Sequence, residues 1–399
     1  MAILFYTNLN STVSHPYIGN LPSNSGYKEQ KLSLNLQTHT QHFTNPLYLE
    51  SGRILEPYDI TYETYGTLND DKNNVIIITH ALTGSHHVAG TYEGENKAGW
   101  WDGLIGSGKA IDTDKYFVIC TNVVGSCFGS TGPMSPQHPN HEPYRYKFPV
   151  ISIKDMVKAQ RILFDRLDIH RVEAIIGGSM GGMQALQFAI HYPNFAKKII
   201  ALATTHATQA WAIAFNKIAQ EAILKDPDFK QGYYDPEIIQ EQGLTGMAIG
   251  RMAGHISFLS HESMNEKFGR EYKRTDGLYE LFGKFQVESY LEYNGYKFTK
   301  WFDPLAYLYI TKAINIYDLS RGFDSLNEAL KKITAQLHLI SFKNDMLFKN
   351  FEMKEISDIL LEIGNTNHTY TDIESDYGHD AFLVELDKFQ DQIKDILNG

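Results

Sequence analysis

The stretch Val172–Leu186, VEAIIGGSMGGMQAL, sets one serine among four glycines, between an apolar run and a helix-like sequence. The β-branched residues before Gly177 predict a strand, and the pattern of Met180–His191 predicts a helix. Side chains beside a sharp strand-to-helix turn would collide with their surroundings, so glycine is favoured on both sides of Ser179. The pattern therefore predicts a turn that presents Ser179 as a nucleophile, in preference to a glycine-rich packing turn.

Length and charge narrow the class of protein. The 399 residues exceed what one compact core needs and predict a core domain with a large insertion, or two domains. A hydrophobic fraction of 43% with 21% charged residues is typical of soluble globular proteins. The net charge of −11 argues against nucleic acid or an anionic membrane surface as the main partner.

Cysteine usage and the N-terminus bear on the compartment. Cys120 and Cys127 lie in or beside a predicted buried strand, where free thiols in a reducing compartment are favoured over a disulfide. The N-terminal MAILFYTNLN has an apolar run too short for a signal peptide and no basic residue before it. No stretch approaches the ~20 apolar residues that a membrane span requires. We therefore expect a cytoplasmic protein.

Hydrophobic periodicity divides the chain into four parts. Residues 1–44 are rich in polar residues and predict an N-terminal extension of uncertain order. Strands and helices alternate over residues 45–204, which predicts the first part of an α/β core whose mostly parallel sheet carries helices on both faces. Residues 205–321 show helical periodicity without a convincing strand and predict an inserted helical lid. Residues 322–399 return to the core.

Apolar runs place the elements of this core along the chain. Strands are expected at Tyr58–Thr64, Asn74–Thr79, Tyr116–Thr121, Val172–Ile176, Lys198–Ala203, Gln336–Phe342 and His368–Ile373. Helices are expected at Ile153–Leu167, Met180–His191, Phe351–Ile363 and Asp380–Leu397. The serine turn lies between the fourth of these strands and the second of these helices.

A serine nucleophile needs a base, and the base needs a carboxylate that orients it. In folds with this kind of turn, the serine is followed by an acid after a late strand and then by a histidine in a late loop. Asp345 follows the strand LHLISF, and His379 lies in DYGHDAF between the last strand and the last helix. Each alone is better explained by a loop cap or a surface histidine, but their joint position favours a triad with Ser179.

Two backbone N–H groups are expected to bind the oxyanion that forms when the serine attacks. One belongs to Met180, at the N-terminus of the helix. The second should come from the loop after an early strand, THALTGSHHVAG, where Leu82 is the favoured donor. His86 and His87 in that loop lack a third ligand at a convincing spacing, so we expect them to be structural or surface residues and expect no metal site.

From about residue 45 to the C-terminus, the sequence resembles the homoserine O-acetyltransferase family. The blocks that carry the resemblance are HALTGSHHVAG, GWWDGLIGSGKAIDT, YFVICTNVVGSCFGSTGP, GGSMGGMQAL, GRMAGHISFLS and YGHDAFLVE. The resemblance implies an α/β-hydrolase fold with a helical lid and a homodimer joined through the lid helices. It also implies transfer of an acetyl group from acetyl-CoA to the hydroxyl of L-homoserine in methionine biosynthesis, with no permanently bound cofactor and no metal.

The resemblance also assigns residues by position. The nucleophile corresponds to Ser179, the orienting acid to Asp345 and the base to His379. A substrate-binding arginine of the lid corresponds to Arg251, whose guanidinium suits a carboxylate, and the acid after the histidine, Asp380, suits an ammonium group. The alternatives are a lid salt bridge for the arginine and a first-turn acid that favours the helix dipole for the aspartate.

The sequence departs from the family pattern in three places. Phe258 stands where the family often has tyrosine, Gln220 replaces an arginine of the first lid helix, and Asp345 lies in KNDMLFK, without the usual flanking serine and proline. The alternatives are a homoserine O-succinyltransferase, a serine O-acyltransferase, or an esterase or thioesterase that uses water as the acceptor. A non-enzymatic receptor or scaffold on the same fold is a further alternative.

Overall fold

The computed structural model describes residues 34–137, 141–273 and 279–399, so most of the predicted N-terminal extension, residues 1–33, lies outside the described residues. An eight-stranded sheet runs through the described chain. Its strands, β1 to β8, are Gln37–Phe43, Tyr58–Tyr65, Val75–Thr79, Phe117–Thr121, Val172–Gly178, Ala196–Leu202, Gln336–Phe342 and His368–Ile373. Their order is β1-β2-β4-β3-β5-β6-β7-β8. The pairs β1–β2 and β2–β4 are antiparallel and the remaining pairs are parallel, which confirms the predicted fold class.

Helices connect the strands of the core and also make up the insertion between residues 205 and 321. The α-helices of the described residues, α1 to α12, are Ile153–Arg166, Met180–His191, Ala210–Lys225, Pro236–Gln242, Thr245–Phe258, His261–Phe268, Gln286–Thr299, Pro304–Asn315, Leu326–Leu330, Asn350–Glu362, Ala381–Val384 and Gln390–Asn398. Short 3₁₀ helices occur at Arg145–Lys147, Pro227–Gly232 and Leu386–Lys388, and two small sheets pair Leu47–Tyr48 with Ile54–Leu55 and Ile105–Gly106 with Ile111–Asp112. Helices α3 to α8 all fall between residues 205 and 321.

Alternate residues of the strands face two separate hydrophobic cores, one on each side of the sheet. Ile77 and Ile175 belong to one core, whereas Ile76 and Ile176 belong to the other, and all four side chains are fully buried. Full burial of such a side chain is worth about 1.5–3 kcal/mol. The apolar strands of the sequence follow from this arrangement, because a sheet covered on both faces has no polar side.

Strand β1 differs from the expectation for residues 1–44. It pairs antiparallel with β2, from Gln37 opposite Thr64 to Phe43 opposite Tyr58. The sequence QTHTQHF has few apolar residues because most of its side chains are exposed at the edge of the sheet. Backbone hydrogen bonds to β2 hold this segment, and they leave no signal in the hydrophobic pattern. Residues 37–43 therefore belong to the core sheet.

The C-terminal helix expected at Asp380–Leu397 is divided in the structure. Helix α11 ends at Val384, a 3₁₀ turn follows, and α12 begins at Gln390. The break turns Phe389 into the core, where its ring lies 5.6 Å from the ring of Phe342. Burial of this aromatic side chain offsets the loss of helical hydrogen bonds at the break.

Two further observations concern the whole described chain. Cys120 and Cys127 are both free thiols, as the sequence predicts. No helix within the described ranges is long and apolar enough to cross a membrane.

Ser179 follows β5, Asp345 follows β7 and His379 follows β8, so all three lie at the same edge of the parallel strands. That edge faces the lid helices.

Candidate active site

The turn between β5 and α2 holds Ser179 in a strained backbone conformation, with φ 58° and ψ −123°. A Cβ atom added to Gly177 would lie 2.1 Å from Oγ1 of Thr79, and one added to Gly181 would lie 2.0 Å from its carbonyl oxygen. The neighbouring strand β3 therefore leaves no room for a side chain at either position. The glycines of the opening stretch permit this close approach and hold the serine at the end of the sheet.

The structure brings Ser179, His379 and Asp345 into one hydrogen-bonded line. The serine Oγ lies 2.9 Å from Nε2 of His379, and Nδ1 of the same ring lies 2.7 Å from Oδ2 of Asp345. The other carboxylate oxygen accepts the backbone N–H groups of Leu347 at 2.8 Å and Phe348 at 2.9 Å. All three triad side chains are buried. This geometry suits proton transfer from the serine to the imidazole.

Electrostatics around His379 favour its role as a base. Burial disfavours the charged ring, but the bonded carboxylate of Asp345 and the charge of Asp380 outweigh it and raise the pKa of His379 above its ordinary value. The imidazolium that forms when the ring takes a proton is therefore stabilised where it is needed. A raised pKa also means that acidic solutions protonate the ring before reaction and remove the base.

Two backbone N–H groups beside the serine are free to bind an oxyanion. Leu82 lines the cleft next to Ser179, and Met180 is the first residue of α2. Neither backbone N–H has a hydrogen-bond acceptor among the described residues. Unpaired donors at a helix N-terminus and in a facing loop are the arrangement that stabilises negative charge on an attacked carbonyl.

A buried glutamine connects the two segments that carry these donors. Nε2 of Gln184 donates to the carbonyl oxygens of His80 at 3.0 Å and Met180 at 3.3 Å, and Gln160 donates to Oε1 of Gln184 at 2.7 Å. Burial lowers the pKa of His80 to about 4, so its neutral ring accepts the backbone N–H of Val123 at 3.1 Å. Gln184 was not predicted from the sequence, although a glutamine one turn into the largely apolar helix after the serine was the available signal.

A cleft lies above the serine, where the lid meets the core. On the core side it is lined by the loop after β3 (residues 80–90, the oxyanion loop), by Ser179 and His379, and by residues near 348 and 382. Helices α3, α5 and α8 of the lid provide the rest. The lining residues are Ala81, Leu82, Thr83, Ser179, Ala212, Phe215, Asn216, Gly250, Arg251, Gly254, Ser257, Phe258, Tyr307, Ile314, Leu347, Phe348, His379, Asp380, Phe382 and Leu383.

Arg251 brings an unpaired positive charge to the cleft. Its guanidinium stacks between two aromatic rings, 4.7 Å from the centroid of Phe298 and 5.2 Å from that of Phe258. It has no carboxylate within 4.0 Å among the described residues, so the alternative of a lid salt bridge is not seen there. Burial lowers the pKa of this guanidinium, and the charge of Asp380 opposes the change. A partly buried cation without a carboxylate in contact favours binding of an anion.

Asp380 brings the opposite charge to the same cleft. Burial raises the pKa of its carboxyl, and the nearby charges of His379, Arg251 and Lys267 oppose that rise. Its side chain forms no hydrogen bond or ion pair within the described part of the chain, and it caps no helix N–H. The cleft thus presents one unpaired cation and one unpaired anion within reach of the same serine, which matches the two charges of a free amino acid.

Hydrogen bonds tie the lid to the loop that carries His379. The backbone N–H of Ser260 donates to the carbonyl of Tyr377 at 2.9 Å, and that of Asp380 donates to the carbonyl of Phe258 at 3.1 Å. A Cβ atom at Gly378, where φ is 103°, would lie 2.5 Å from the nitrogen of Ser260. These contacts fasten the end of α5 to the loop that carries His379.

The departures from the family pattern have distinct surroundings. Phe258 lies in the cleft, where its ring centroid is 6.2 Å from that of His379 and no hydroxyl is available. Gln220 lies outside the cleft lining and donates to Oγ1 of Thr311 at 3.1 Å, so it joins α3 to α8. Of these two departures, only Phe258 changes a group that lines the cleft.

The histidines of the oxyanion loop face a buried acid. Nδ1 of His87 lies 3.0 Å from Oε2 of Glu63, and Nε2 of His86 lies 3.6 Å from Oε1 of the same carboxylate. The described ranges contain no group of three or more His, Cys, Asp or Glu side chains that could hold a metal ion. Glu63 also accepts the hydroxyl of Tyr65 at 2.5 Å, so this cluster fastens the loop to strand β2.

The strand order and the serine turn are those of an α/β-hydrolase-fold protein, and a profile of the alpha/beta hydrolase fold matches residues 74–386. Two proteins named homoserine O-acetyltransferase, from Sulfurimonas autotrophica and Nautilia profundicola, are 83% and 60% identical to this chain. Both similarities cover 92% of this chain and 100% of the relative. The chain belongs to the homoserine O-acetyltransferase family.

Solved structures of transferases and hydrolases share this architecture. A homoserine O-acetyltransferase from Bacillus anthracis is similar with a TM-score of 0.84 and 29% identity, covering 91% of this chain and 98% of that one. Esterase E22 is similar with a TM-score of 0.82 and 27% identity, covering 91% of this chain and 100% of its own. The fold alone therefore does not separate acyl transfer to an amino acid from acyl transfer to water.

Proposed function

We propose that this protein transfers the acetyl group of acetyl-CoA to the hydroxyl of L-homoserine through an acyl-serine intermediate. The observation that carries the proposal is the pair of unpaired charges, Arg251 and Asp380, in the cleft above Ser179. A hydrolase that uses water needs neither charge, whereas a zwitterionic acceptor needs both. The identity to relatives named homoserine O-acetyltransferase supports the same acceptor and donor.

In the first half-reaction the thioester carbonyl lies against the N–H groups of Leu82 and Met180. His379 takes the proton of Ser179 as its oxygen attacks the carbonyl carbon, and the oxyanion that forms accepts both N–H groups. The carbon–sulfur bond then breaks, CoA leaves as the thiol with the proton from His379, and an acetyl ester remains on the serine. Each oxyanion donor in comparable sites is worth about 3–4 kcal/mol of transition-state stabilisation.

In the second half-reaction the acceptor amino acid occupies the cleft. Its carboxylate pairs with Arg251 and its ammonium pairs with Asp380, which brings the terminal hydroxyl to the acetyl-serine. His379 takes the hydroxyl proton, the new ester bond forms, and Ser179 recovers its proton as the ester bond to the enzyme breaks. The triad, the two N–H groups and the charges of the cleft suffice for this sequence without a permanently bound cofactor.

The decisive experiment measures thiol release with two donors and two acceptors. Acetyl-CoA and succinyl-CoA are each tested with L-homoserine and L-serine, and each rate is compared with the rate without acceptor. We expect the highest kcat/KM for acetyl-CoA with L-homoserine. L-serine is shorter by one methylene, a difference worth about 1–3 kcal/mol, and should be a poor second acceptor. Thiol release that no amino acid stimulates would identify a thioesterase and overturn the proposal.

Replacement of the nucleophile tests the intermediate. Ser179→Ala should abolish transfer while the fold persists, because the change leaves no sizeable cavity. Intact mass spectrometry of the wild-type protein after mixing with acetyl-CoA should detect one acetyl adduct, and peptide mapping should assign it to Ser179. An adduct elsewhere, or substantial activity in the alanine variant, would contradict the acyl-serine mechanism.

The partners follow from the same proposal. We propose acyl-CoA and L-homoserine as small-molecule substrates, and a second copy of this chain as the partner at the lid helices. Apolar side chains exposed on neighbouring lid helices support the last point, among them Ile218, Ile249 and Ile256. The two free thiols support a reducing, cytoplasmic compartment.

A further inference from the structure

Tyr307 carries a hydroxyl that bonds to no other group among the described residues. The residue lies in the first turn of α8, its side chain is only 4% exposed, and it lines the cleft. Its hydroxyl has no hydrogen-bond partner among the described residues, yet its oxygen is not sealed from solvent. A hydroxyl without a protein partner adds nothing to the packing of the lid, and phenylalanine would pack as well at this position.

Two other tyrosines of the lid use their hydroxyls structurally. Tyr309, two residues further along α8, donates to the carbonyl of Phe148 at 2.8 Å. Tyr234 donates to Oδ2 of Asp303, the cap of α8, at 2.5 Å. The hydroxyl of Tyr307 differs from both because it faces the cleft instead of a protein acceptor.

Tyr307 shares its surroundings with Arg251. The ring of Phe298 lies 5.8 Å from the ring of Tyr307 and 4.7 Å from the guanidinium carbon of Arg251. Burial raises the pKa of the Tyr307 hydroxyl, and the cation of Arg251 opposes that rise. The hydroxyl therefore keeps its proton at neutral pH and can donate it to an acceptor that lies beside the guanidinium.

We propose that the hydroxyl of Tyr307 donates a hydrogen bond to the carboxylate of the acceptor amino acid, beside the ion pair with Arg251. The inference rests on the proposed acyl transfer to a zwitterion and adds a residue that determines specificity for the carboxylate. It also accounts for Phe258, because α8 supplies to the cleft the hydroxyl that α5 lacks at that position. The carboxylate then has two donors of different geometry, which fixes its orientation.

Tyr307→Phe tests this contact in the full-length protein. The KM for L-homoserine at saturating acetyl-CoA should rise about 10-fold, the usual effect of losing a hydrogen bond to a charged group. The rate of acetyl-serine formation without acceptor should stay unchanged, because the donor arrives before the carboxylate does. The melting temperature should not fall, since the lost hydroxyl bonds nothing in the protein.

An acceptor without the carboxylate and a matched variant complete the experiment. With 3-aminopropan-1-ol, which lacks the carboxylate, Tyr307→Phe and wild type should have the same KM. Tyr309→Phe removes a hydroxyl from the same helix and should lower the melting temperature without changing the KM for L-homoserine.

Three outcomes would overturn the contact with the carboxylate. They are an unchanged KM for L-homoserine in Tyr307→Phe, an equal slowing of acetyl-serine formation, or the same loss with 3-aminopropan-1-ol. If wild type itself gives no thiol release that depends on L-homoserine, the proposed function fails and this contact fails with it. If wild type transfers the acetyl group to L-homoserine and Tyr307→Phe does so with the same KM, the inference fails while the proposed function stands.

Discussion

At the scale of single residues, the pKa of the base His379 depends on Asp380, its neighbour in sequence. His379 bonds to Asp345, and the charge of Asp380 also raises the pKa of its imidazole. The carboxylate proposed to hold the acceptor's ammonium thus acts on the first half-reaction as well, before the acceptor binds. A negative charge stabilises the imidazolium, so its removal must lower the pKa of His379.

Asp380→Asn tests this coupling through the pH dependence of acetyl-serine formation. In wild type the rate should fall in acid with an apparent pKa above the usual histidine value, because protonation of His379 removes the base. In Asp380→Asn that limb should move to lower pH, since the neutral amide no longer stabilises the imidazolium. The burst of thiol release, measured across pH, gives the acidic limb of wild type and that of Asp380→Asn.

The control for this prediction is Asp387→Asn, a change of an exposed acid in the 3₁₀ turn after α11. Its acidic limb should coincide with that of wild type, because the side chain lies at the surface and is screened by solvent. A limb that stays in place or moves to higher pH in Asp380→Asn would refute the assigned coupling.

At the scale of elements, the oxyanion site depends on how α2 and the loop after β3 are held together. Gln184 donates to a carbonyl of each segment, while Gln160 of α1 fixes its amide oxygen. Gln184 touches no substrate group and is a positioning residue. Its effect should reach the reaction only through the positions of the Leu82 and Met180 N–H groups.

Gln184→Met should slow acetyl-serine formation about 10-fold, because small displacements of oxyanion donors weaken transition-state stabilisation. The apparent KM for acetyl-CoA should change little, since the acyl donor contacts other parts of the cleft. Rapid-quench measurement of acylation, together with thermal unfolding, separates the two effects.

Gln160→Met is the matched control for this prediction. It removes one buried hydrogen bond, worth about 1 kcal/mol, yet leaves both donations from Gln184 intact. Both variants should lose stability, and only Gln184→Met should lose acylation rate. Equal kinetic losses would mean that general loosening of α1 and α2, and not the connection to His80, governs the rate.

The sequence predicts these elements unevenly, for physical reasons. The turn at Ser179 is local: strand, glycines and helix are adjacent in sequence, and their pattern reports the bend directly. The reason for Gly181 is not local, because the atom it must avoid belongs to Thr79, about a hundred residues earlier. The roles of Gln184 and Tyr307 could not be predicted from the sequence for the same reason, because the groups around them come from distant segments. Strand β1 was missed because edge pairing needs no apolar side chains.

At the scale of the whole molecule, the core supplies the triad and Asp380, and the lid adds Arg251 and Tyr307 to the same cleft. The triad and the oxyanion donors lie at one edge of the central sheet, whereas Arg251 and Tyr307 come from α5 and α8 of the insertion. Hydrogen bonds between the end of α5 and the loop of His379 join the two halves. A related core with a different lid can therefore direct the proposed acyl-serine to another acceptor.

The outer face of the lid has its own pattern. Helix α5 packs between α3 and α7, and its residues Ile249 and Ile256 stand seven positions apart on one face, 47% and 52% exposed. Ile218 of α3 and Tyr293 of α7 are exposed to a similar degree. Exposed apolar residues on three adjacent helices form the kind of surface that a second chain covers.

Ile256→Glu should therefore convert a dimer into a monomer. A carboxylate buried at an apolar interface lacks a partner, and its desolvation costs several kcal/mol in each of the two copies. Light scattering after size exclusion should give the mass of two chains for wild type and of one chain for the variant. Leu361→Glu, at a similarly exposed residue of α10 outside the lid, should remain dimeric. A dimer that survives Ile256→Glu but not Leu361→Glu would place the interface on the core instead, and a monomeric wild type would exclude a lid-mediated dimer.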